Sequence, residues 1–409
     1  MGVAHQGGGA VTRAVVHDDD RGAPRDVLGL ERAQARVEEV PRVPRDDGDG
    51  HGGCGVRGQR AHPRRRALGH TRRVIAIDAR AAVRPELGGV ERWARELVAR
   101  LPAHAPGRYR VLAPPAALAH RAGHVWEQAW LPLRAARHEA LLCPANLAPL
   151  GSPRTTVIVH DAAALRDPSW YSPAYVRLQR LLLPRIVAGA ARVLTVSAFS
   201  ARELRELLGV DATVVPGGVG EAFRPVDDAA VAAATTAVGL EPGAPYVLTV
   251  ASRTARKNLA ALGPAARRLA GEGVTVVAVG GDRPQFRAEP AVAGIRELGP
   301  VADGHLPGLY AGAGAFVLPS RYEGLGLPCL EAMACGTPVV AARAAALPET
   351  CGGAARLVDP DDHEGFTAAL LDVLADPAPW RRRGLAHVAG RGWDATAAAV
   401  HAAIALRPR

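Results

Sequence analysis

From residue 74 onward the chain runs twice through the same alternation of a short, uninterrupted apolar run and a stretch with helical period. The first series contains Val74-Ile-Ala-Ile, Thr156-Val-Ile-Val, Val193-Leu-Thr-Val and Thr213-Val-Val. The second contains Tyr246-Val-Leu-Thr-Val, Val274-Thr-Val-Val-Ala-Val, Ala315-Phe-Val-Leu and Pro338-Val-Val. Strands that are apolar on both faces belong in parallel sheets covered by helices on both sides. Val90, Trp93, Ala94, Leu97, Val98 and Leu101 mark one face of a helix. Further helices are predicted near 173–188, 198–208, 258–270, 327–335, 362–375 and 394–406. A weakly ordered Ala/Thr stretch and Glu241-Pro-Gly-Ala-Pro separate the series, which places a boundary near 238. The expectation is an α/β protein of two Rossmann-like, doubly wound domains (73–238 and 239–390) facing across a cleft. Ligands of such sheets bind beyond the carboxyl ends of the strands.

With 409 residues, 48% of them hydrophobic, the chain can build two substantial cores. Its net charge is +10, of which residues 1–72 carry only +3, so the charge is not concentrated in a basic tail. Nucleic-acid binding would call for a basic stripe with aromatics, and aromatics are 4% of the chain. A mildly basic surface fits phosphate-bearing substrates or an anionic membrane face. No apolar run approaches the roughly 20 residues of a membrane helix, and the N-terminus lacks a signal-peptide core. The expected location is cytoplasmic, with at most peripheral contact at the inner membrane face. Cys54, Cys143, Cys329, Cys335 and Cys351 follow no metal spacing, and no Asp-x-Asp pair ends a strand, so no metal is expected. Within residues 1–72, Gly7-Gly-Gly, Asp18-Asp-Asp, Asp46-Asp-Gly-Asp-Gly and Arg64-Arg-Arg alternate without a sustained apolar period. Such a segment buries too little surface to offset its ordering entropy. It is expected to be a disordered extension or the product of a start site placed too far upstream.

The densest chemistry lies at Glu323-Gly-Leu-Gly-Leu-Pro-Cys-Leu-Glu331, followed by Ala-Met-Ala-Cys-Gly-Thr-Pro-Val-Val. Pro328 can open a helix, because its missing N–H falls where a helix has no partner for one. Glu323 then sits on a loop and Glu331 near a helix start. Both face a crevice of outward-pointing amides that favours phosphate. Carboxylates beside a phosphate accept hydrogen bonds from hydroxyls, and hydroxyls presented together with phosphates suggest a sugar nucleotide. Lys257 is the only lysine in the chain, at a helix mouth in Ser252-Arg-Thr-Ala-Arg-Lys-Asn. Its compact ammonium suits a diphosphate. His160-Asp161 ends a strand, where the imidazole can donate to a hydroxyl or a phosphate oxygen. Gly88-Gly89 opens the first helix and allows close backbone approach.

These segments resemble the retaining glycosyltransferases of family 4, in the mannosyltransferase-like "glycosyl transferases group 1" branch, over residues 73 to 409. The match rests on Ser320-Arg-Tyr-Glu, the Gly-Leu-Gly-Leu-Pro core, the Glu-Ala-Met-Ala-Cys-Gly-Thr-Pro tail, and Val159-His-Asp with its flanks through Pro173. The resemblance implies the GT-B fold, with a last helix in 391–409 crossing back to the first domain. It implies hexosyl transfer, with mannose favoured, from a GDP- or UDP-sugar donor to a glycan, lipid-linked or small-molecule acceptor, without metal or other cofactor. Its implied catalytic residues are His160, Lys257 and Glu323. Implied donor contacts are Gly88, Gly89, Lys257, Val301, Glu323, the loop Gly324, Leu325, Gly326 and Leu327, and Glu331 on the ribose. Where relatives place an Arg after the strand's glycine, Ala251-Ser252 stand here, so Arg253 or Arg256 is expected to supply the second cation. Gly217 and Gly220 replace the usual Asn and Asp of the Val215-Pro-Gly-Gly-Val-Gly segment. The competing readings are a sugar-nucleotide epimerase or hydrolase on the same fold, and a non-catalytic sugar-nucleotide-binding protein. A nicotinamide dehydrogenase is disfavoured, since no Gly-x-Gly-x-x-Gly follows a first strand.

Overall fold

The computed structural model describes residues 74–84, 88–115, 123–281 and 283–405. The expectation for residues 1–72 falls outside them.

The first half runs β1 (Ile75–Asp78), α1 (Gly89–His104), β2 (Tyr109–Leu112), β3 (Ala140–Cys143), β4 (Thr155–Ile158), α2 (Pro173–Gly189), β5 (Arg192–Thr195), α3 (Ala198–Leu208) and β6 (Thr213–Val214). Its six strands pair in parallel in the order β2-β1-β3-β4-β5-β6. β1 and β4 are buried at every position, as their apolar runs require. On α1 the buried residues are Glu91, Trp93, Ala94, Leu97 and Leu101, and Val90 and Val98 are half-buried. Before β3 a helical segment includes a π-turn at Trp126–Trp130. Trp126 Nε1 donates to Asp78 Oδ1 at 2.9 Å and Arg80 Nε to Glu127 Oε1 at 2.6 Å, tying that turn to the end of β1.

The Ala/Thr stretch is ordered as α4 (Asp228–Ala237), capped by the Asp227 carboxylate on the Ala230 N–H. After it come β7 (Tyr246–Val250), α5 (Gly263–Ala270), β8 (Thr275–Val279), β9 (Ile295–Gly299), α6 (Leu306–Gly312), β10 (Ala315–Leu318), α7 (Leu327–Ala334), β11 (Val339–Ala342), β12 (Ala355–Val358), α8 (His363–Ala375), α9 (Ala378–Val388) and α10 (Trp393–Ala405). The second sheet is again parallel, ordered β12-β11-β10-β7-β8-β9. α4 packs on α6 of this half, and a Cβ at Gly308 would come within 2.6 Å of Ala234 Cβ, so the two helices meet at glycine.

α10 returns to the first half and packs on α1. Trp393 meets Trp93 edge to face at 5.2 Å. Ala397 and Val400 join Leu97 and Leu101 in one core with Leu327 and Leu330 of α7. The last helix and the tip of α7 therefore join the two halves by apolar burial as well as by chain connection.

Candidate functional site

The carboxyl ends of both sheets open onto a shared crevice, and each motif reaches it from the loop after a strand. Ser252 to Asn258 follow β7. Asn258 adopts a left-handed conformation (φ 56°), and its Nδ2 donates to Pro319 O at 3.1 Å and Pro360 O at 2.8 Å. These bonds pin the lysine loop to the loop after β10. Lys257 Nζ thereby lies 2.6 Å from Glu323 Oε1, and Arg256 Nη1 lies 3.4 Å from Oε2 while donating to Tyr322 O at 2.9 Å. Burial pushes the Glu323 carboxyl up, but the two cations outweigh it and hold it below the ordinary value. Burial pulls the Lys257 ammonium down against the attraction of Glu323, with Arg256 adding to the depression.

Glu331, on the second turn of α7, receives Arg92 Nε at 3.3 Å from α1 and the Tyr310 hydroxyl at 3.1 Å. Burial raises its carboxyl despite Arg92. Arg92 also reaches Asp303 at 3.4 Å and stacks over Phe223 at 5.1 Å. His160 is buried, which lowers its pKa. Because a carbonyl only accepts, its Nε2–H must donate to Pro144 O at 2.8 Å, which leaves Nδ1 as the acceptor. Its ring meets Trp93 edge-on at 5.4 Å, and the backbone N–H of His160 donates to Asn146 Oδ1 at 2.7 Å. Asp161 does not orient the imidazole. Its Oδ1 caps the following turn at the Ala163 N–H, 3.1 Å away.

Two cavities adjoin in this crevice. One, of about 450 Å³, is lined by Arg92, Pro300, Val301, Asp303, Leu306, Leu327 and Glu331. The other, of about 740 Å³, is lined by Arg80, Asn146, Asp161, Tyr175, Ser252, Arg256, Lys257 and Phe286. Gly88, Gly89, Gly280, Gly281, Arg283 and Pro328 line both and form the neck between them. At the neck, α1 begins without a side-chain cap, and its first backbone bond is Arg92 N–H to Gly88 O at 2.9 Å. The Gly89, Val90 and Glu91 amides precede that bond, which makes an anion-receptive end. A Cβ at Gly280 would sit 2.5 Å from Ala251 O, so that position admits only glycine without backbone movement.

Among the residues singled out by sequence, Gly88, Gly89, Val301, Leu327 and Glu331 line the smaller cavity, and Gly88, Gly89, Arg256 and Lys257 the larger. Glu323 and His160 lie behind the walls, each less than a tenth exposed. Gly324 is wedged against His160 O, and Gly326 (φ 94°) precedes α7 as its N-cap. Leu325 packs toward the first half's core. Arg253 turns away to Glu297, at 3.2 Å. Sequence reading missed Arg92, Gly280-Gly281 and Arg283. The glycine pair directly after β8 was the available signal for the last two. Among the described residues no cluster of three metal-ligating side chains is present, and no helix is long and apolar enough to cross a membrane.

Residues 244–376 match the family model described as "Glycosyl transferases group 1". The chain is 48% identical over 104 residues to O-antigen chain mannosyltransferase B of Escherichia coli, covering 24% of this chain and 27% of that protein. It is 35% identical over 241 residues to D-inositol 3-phosphate glycosyltransferase 2 of Catenulispora acidiphila, covering 53% of this chain and 56% of that protein. The chain thus spans from about a quarter to just over half the length of these curated relatives. Among solved structures it resembles sucrose-phosphate synthase from Thermosynechococcus elongatus, with a TM-score of 0.62 at 20% identity, over 81% of this chain and 98% of that one. It also resembles Anabaena HepE in complex with UDP-glucose, with a TM-score of 0.59 at 17% identity, over 81% and 98%. The fold is GT-B: two parallel-sheet α/β domains facing across a cleft.

Proposed function

We propose that this protein is a retaining glycosyltransferase that moves a hexosyl group, mannose by preference, from a nucleoside diphosphate sugar to a hydroxyl of a glycan, lipid-linked or small-molecule acceptor. The single observation that carries the reading is the pair of joined cavities. One offers Glu331 to a ribose and Val301 to a base. The other offers Lys257 beside Asp161 and Asn146 to a sugar and its acceptor. The neck between them is lined by glycine backbone and the open start of α1. Of the relatives named above, the Escherichia coli protein is a mannosyltransferase and the Catenulispora protein a glycosyltransferase, and HepE is solved in complex with UDP-glucose. These favour a sugar nucleotide, with GDP-mannose ahead of UDP-sugars.

In this reading the barrier is departure of the diphosphate as the anomeric carbon becomes cation-like. Lys257 and the α1 amides stabilise the charge that develops, at about 2.7–4 kcal/mol per well-placed donor. Glu323, held ionised by Lys257 and Arg256, positions the lysine and accepts from a donor hydroxyl when the lysine turns to phosphate. His160, whose backbone N–H and carbonyl are engaged by Asn146 and Ser200, offers its Nδ1 acceptor to the sugar from behind the cavity wall. Cationic side chains fill the place that a metal takes in other transferases. The protein acts at the cytoplasmic side, with peripheral membrane contact where its acceptor is a lipid.

A panel of GDP, UDP and their hexose conjugates in a thermal-shift assay tests the binding step. A ligand at 100 times its dissociation constant adds about 2.7 kcal/mol of stability. No shift with any nucleotide defeats the proposal. Binding without transfer to any supplied acceptor points instead to a sugar-nucleotide-binding protein, and nucleotide release without an acceptor to a hydrolase or epimerase.

A further inference from the structure

Arg283 stands two residues after the glycine pair Gly280-Gly281 that follows β8, next to the neck between the cavities. Among the described residues it is the only charged side chain that lines both. Its Nη2 would lie 2.8 Å from a Cβ at Gly88, so the guanidinium rests over the glycine turn that opens α1. Its Nη1 lies 3.4 Å from both carboxylate oxygens of Glu91 in the first turn of α1, a long and weak pairing. Glu91 also receives Arg84, at 3.3 Å. One carboxylate is thus shared by two guanidinium groups.

A ligand with a nucleoside in the smaller cavity and a sugar in the larger has its diphosphate in the neck. The two arginines expected from sequence do not serve there. Arg253 is turned to Glu297 and lines neither cavity. Arg256 lines only the larger cavity, away from the neck, and is buried with its Nη1 donating to Tyr322 O at 2.9 Å and its guanidinium 5.6 Å from the Phe286 centroid. We infer that Arg283 is the second diphosphate-binding cation, opposite Lys257. It would exchange the long Glu91 contact for a forked pair of bonds to phosphate oxygens, for which a guanidinium is shaped. Glu91 keeps Arg84, so the exchange does not strand a buried carboxylate. This inference rests on the sugar-nucleotide reading above and adds a residue that the motifs do not contain.

The test compares wild type with Arg283→Gln and Arg283→Lys, measuring binding of GDP, UDP, guanosine and uridine by calorimetry. Charge-assisted bonds predict that Arg283→Gln weakens the bound diphosphate at least about tenfold. The matching nucleoside should weaken less than about threefold, and Arg283→Lys should recover part of the loss. Equal losses for nucleoside and diphosphate, or no loss, overturn the inference and leave the proposed function standing. If wild type binds neither GDP nor UDP, the proposed function fails first and this inference with it.

Discussion

Lys257 Nζ and Glu323 Oε1 lie 2.6 Å apart, with Glu323 buried and Lys257 largely so, and they link the two loops that carry them. The pair therefore reports on the loops after β7 and β10 together. Removing one partner of a buried pair leaves an uncompensated charge, at a cost of about 3–5 kcal/mol. Arg256 still faces Glu323, so Lys257→Met should fall at the low end, about 3 kcal/mol in urea unfolding. Because Glu323 is held below its ordinary value, its contribution is present above the unfolded-state pKa near 4.5 and is lost as pH falls through the folded value. In Lys257→Met that acid limb should move to higher pH. An unchanged acid limb would show that the pair does not set the Glu323 ionisation. The same substitution should lower kcat by a hundredfold or more, roughly one electrostatic donor.

Asp78 offers a test whose sign is opposite. Burial, then the nearby Glu127 charge, pushes its carboxyl up to about 6 from 3.8, against the bonds from Trp126 and Arg80. The folded state thus binds more proton than the unfolded one between those values. Its stabilising contribution is full below 3.8 and is lost as pH rises through about 6. Above that, the buried anion costs about 3 kcal/mol at 1.36 kcal/mol per pKa unit. Asn keeps the acceptor for Trp126 Nε1 and the Arg80 N–H and carries no charge. Asp78→Asn should therefore be more stable than wild type at pH 7.5 by up to about 3 kcal/mol, and the gain should shrink to near zero below pH 4. A gain independent of pH would mean that the charge is not its origin.

Most strands legible in the sequence are buried along their length; the exposed edge strand β6 is an exception, and the buried interior strand β3 was missed. β10 carries an unbroken apolar run and β7 one broken only by Thr249, and both fall where those runs lie. β2, β9 and β12 were missed because each is the edge of its sheet and includes a charged residue: Arg110, Arg296 with Glu297, and Arg356. α4 lacks an apolar period because Ala and Thr blur it; its helix is held by Asp227 and by packing against Gly308 of α6, neither of which is local pattern. In the site, Lys257, Glu323 and Glu331 stand in dense motifs with characteristic neighbours. Arg92 and Arg283 do not. Their roles arise from partners 239 and 192 residues away in the chain, which only the closed pairing of the two halves supplies.

Arg92 and Glu331 are that pairing at its most measurable. Arg92→Met strands the Glu331 carboxylate with only the Tyr310 hydroxyl, and about 3 kcal/mol of stability should be lost. Glu331→Gln alone leaves Arg92 its contacts with Asp303 and Phe223 and should cost less. The double variant should recover most of the Arg92→Met loss, with a coupling energy of about 1–3 kcal/mol in a double-mutant cycle. Additive losses would sink the idea of an energetic link between α1 and α7 at this point.

Gly324 of the second half packs against His160 and Asp161 of the first. A Cβ there would collide with His160 O and come within 3.1 Å of Asp161 Cβ. Both obstacles are held: the His160 carbonyl accepts from the Ser200 hydroxyl at 3.0 Å, and the Gly324 carbonyl accepts from the Ser197 and Ser200 hydroxyls at 2.6 and 3.1 Å. Neither loop can yield without breaking bonds that the other needs. Overpacking of this kind costs about 1–3 kcal/mol, and Gly324→Ala should lose about 2 kcal/mol with its effect concentrated between the halves. Gly353→Ala, where a Cβ meets nothing within 4 Å, serves as the control and should stay within about 0.5 kcal/mol of wild type. Hydrogen exchange should show the Gly324→Ala loss as faster opening around His160 and Ser197, with β10 and β11 protected as in wild type. Uniform loss of protection through both sheets would mean that the contact is not the seam between the halves.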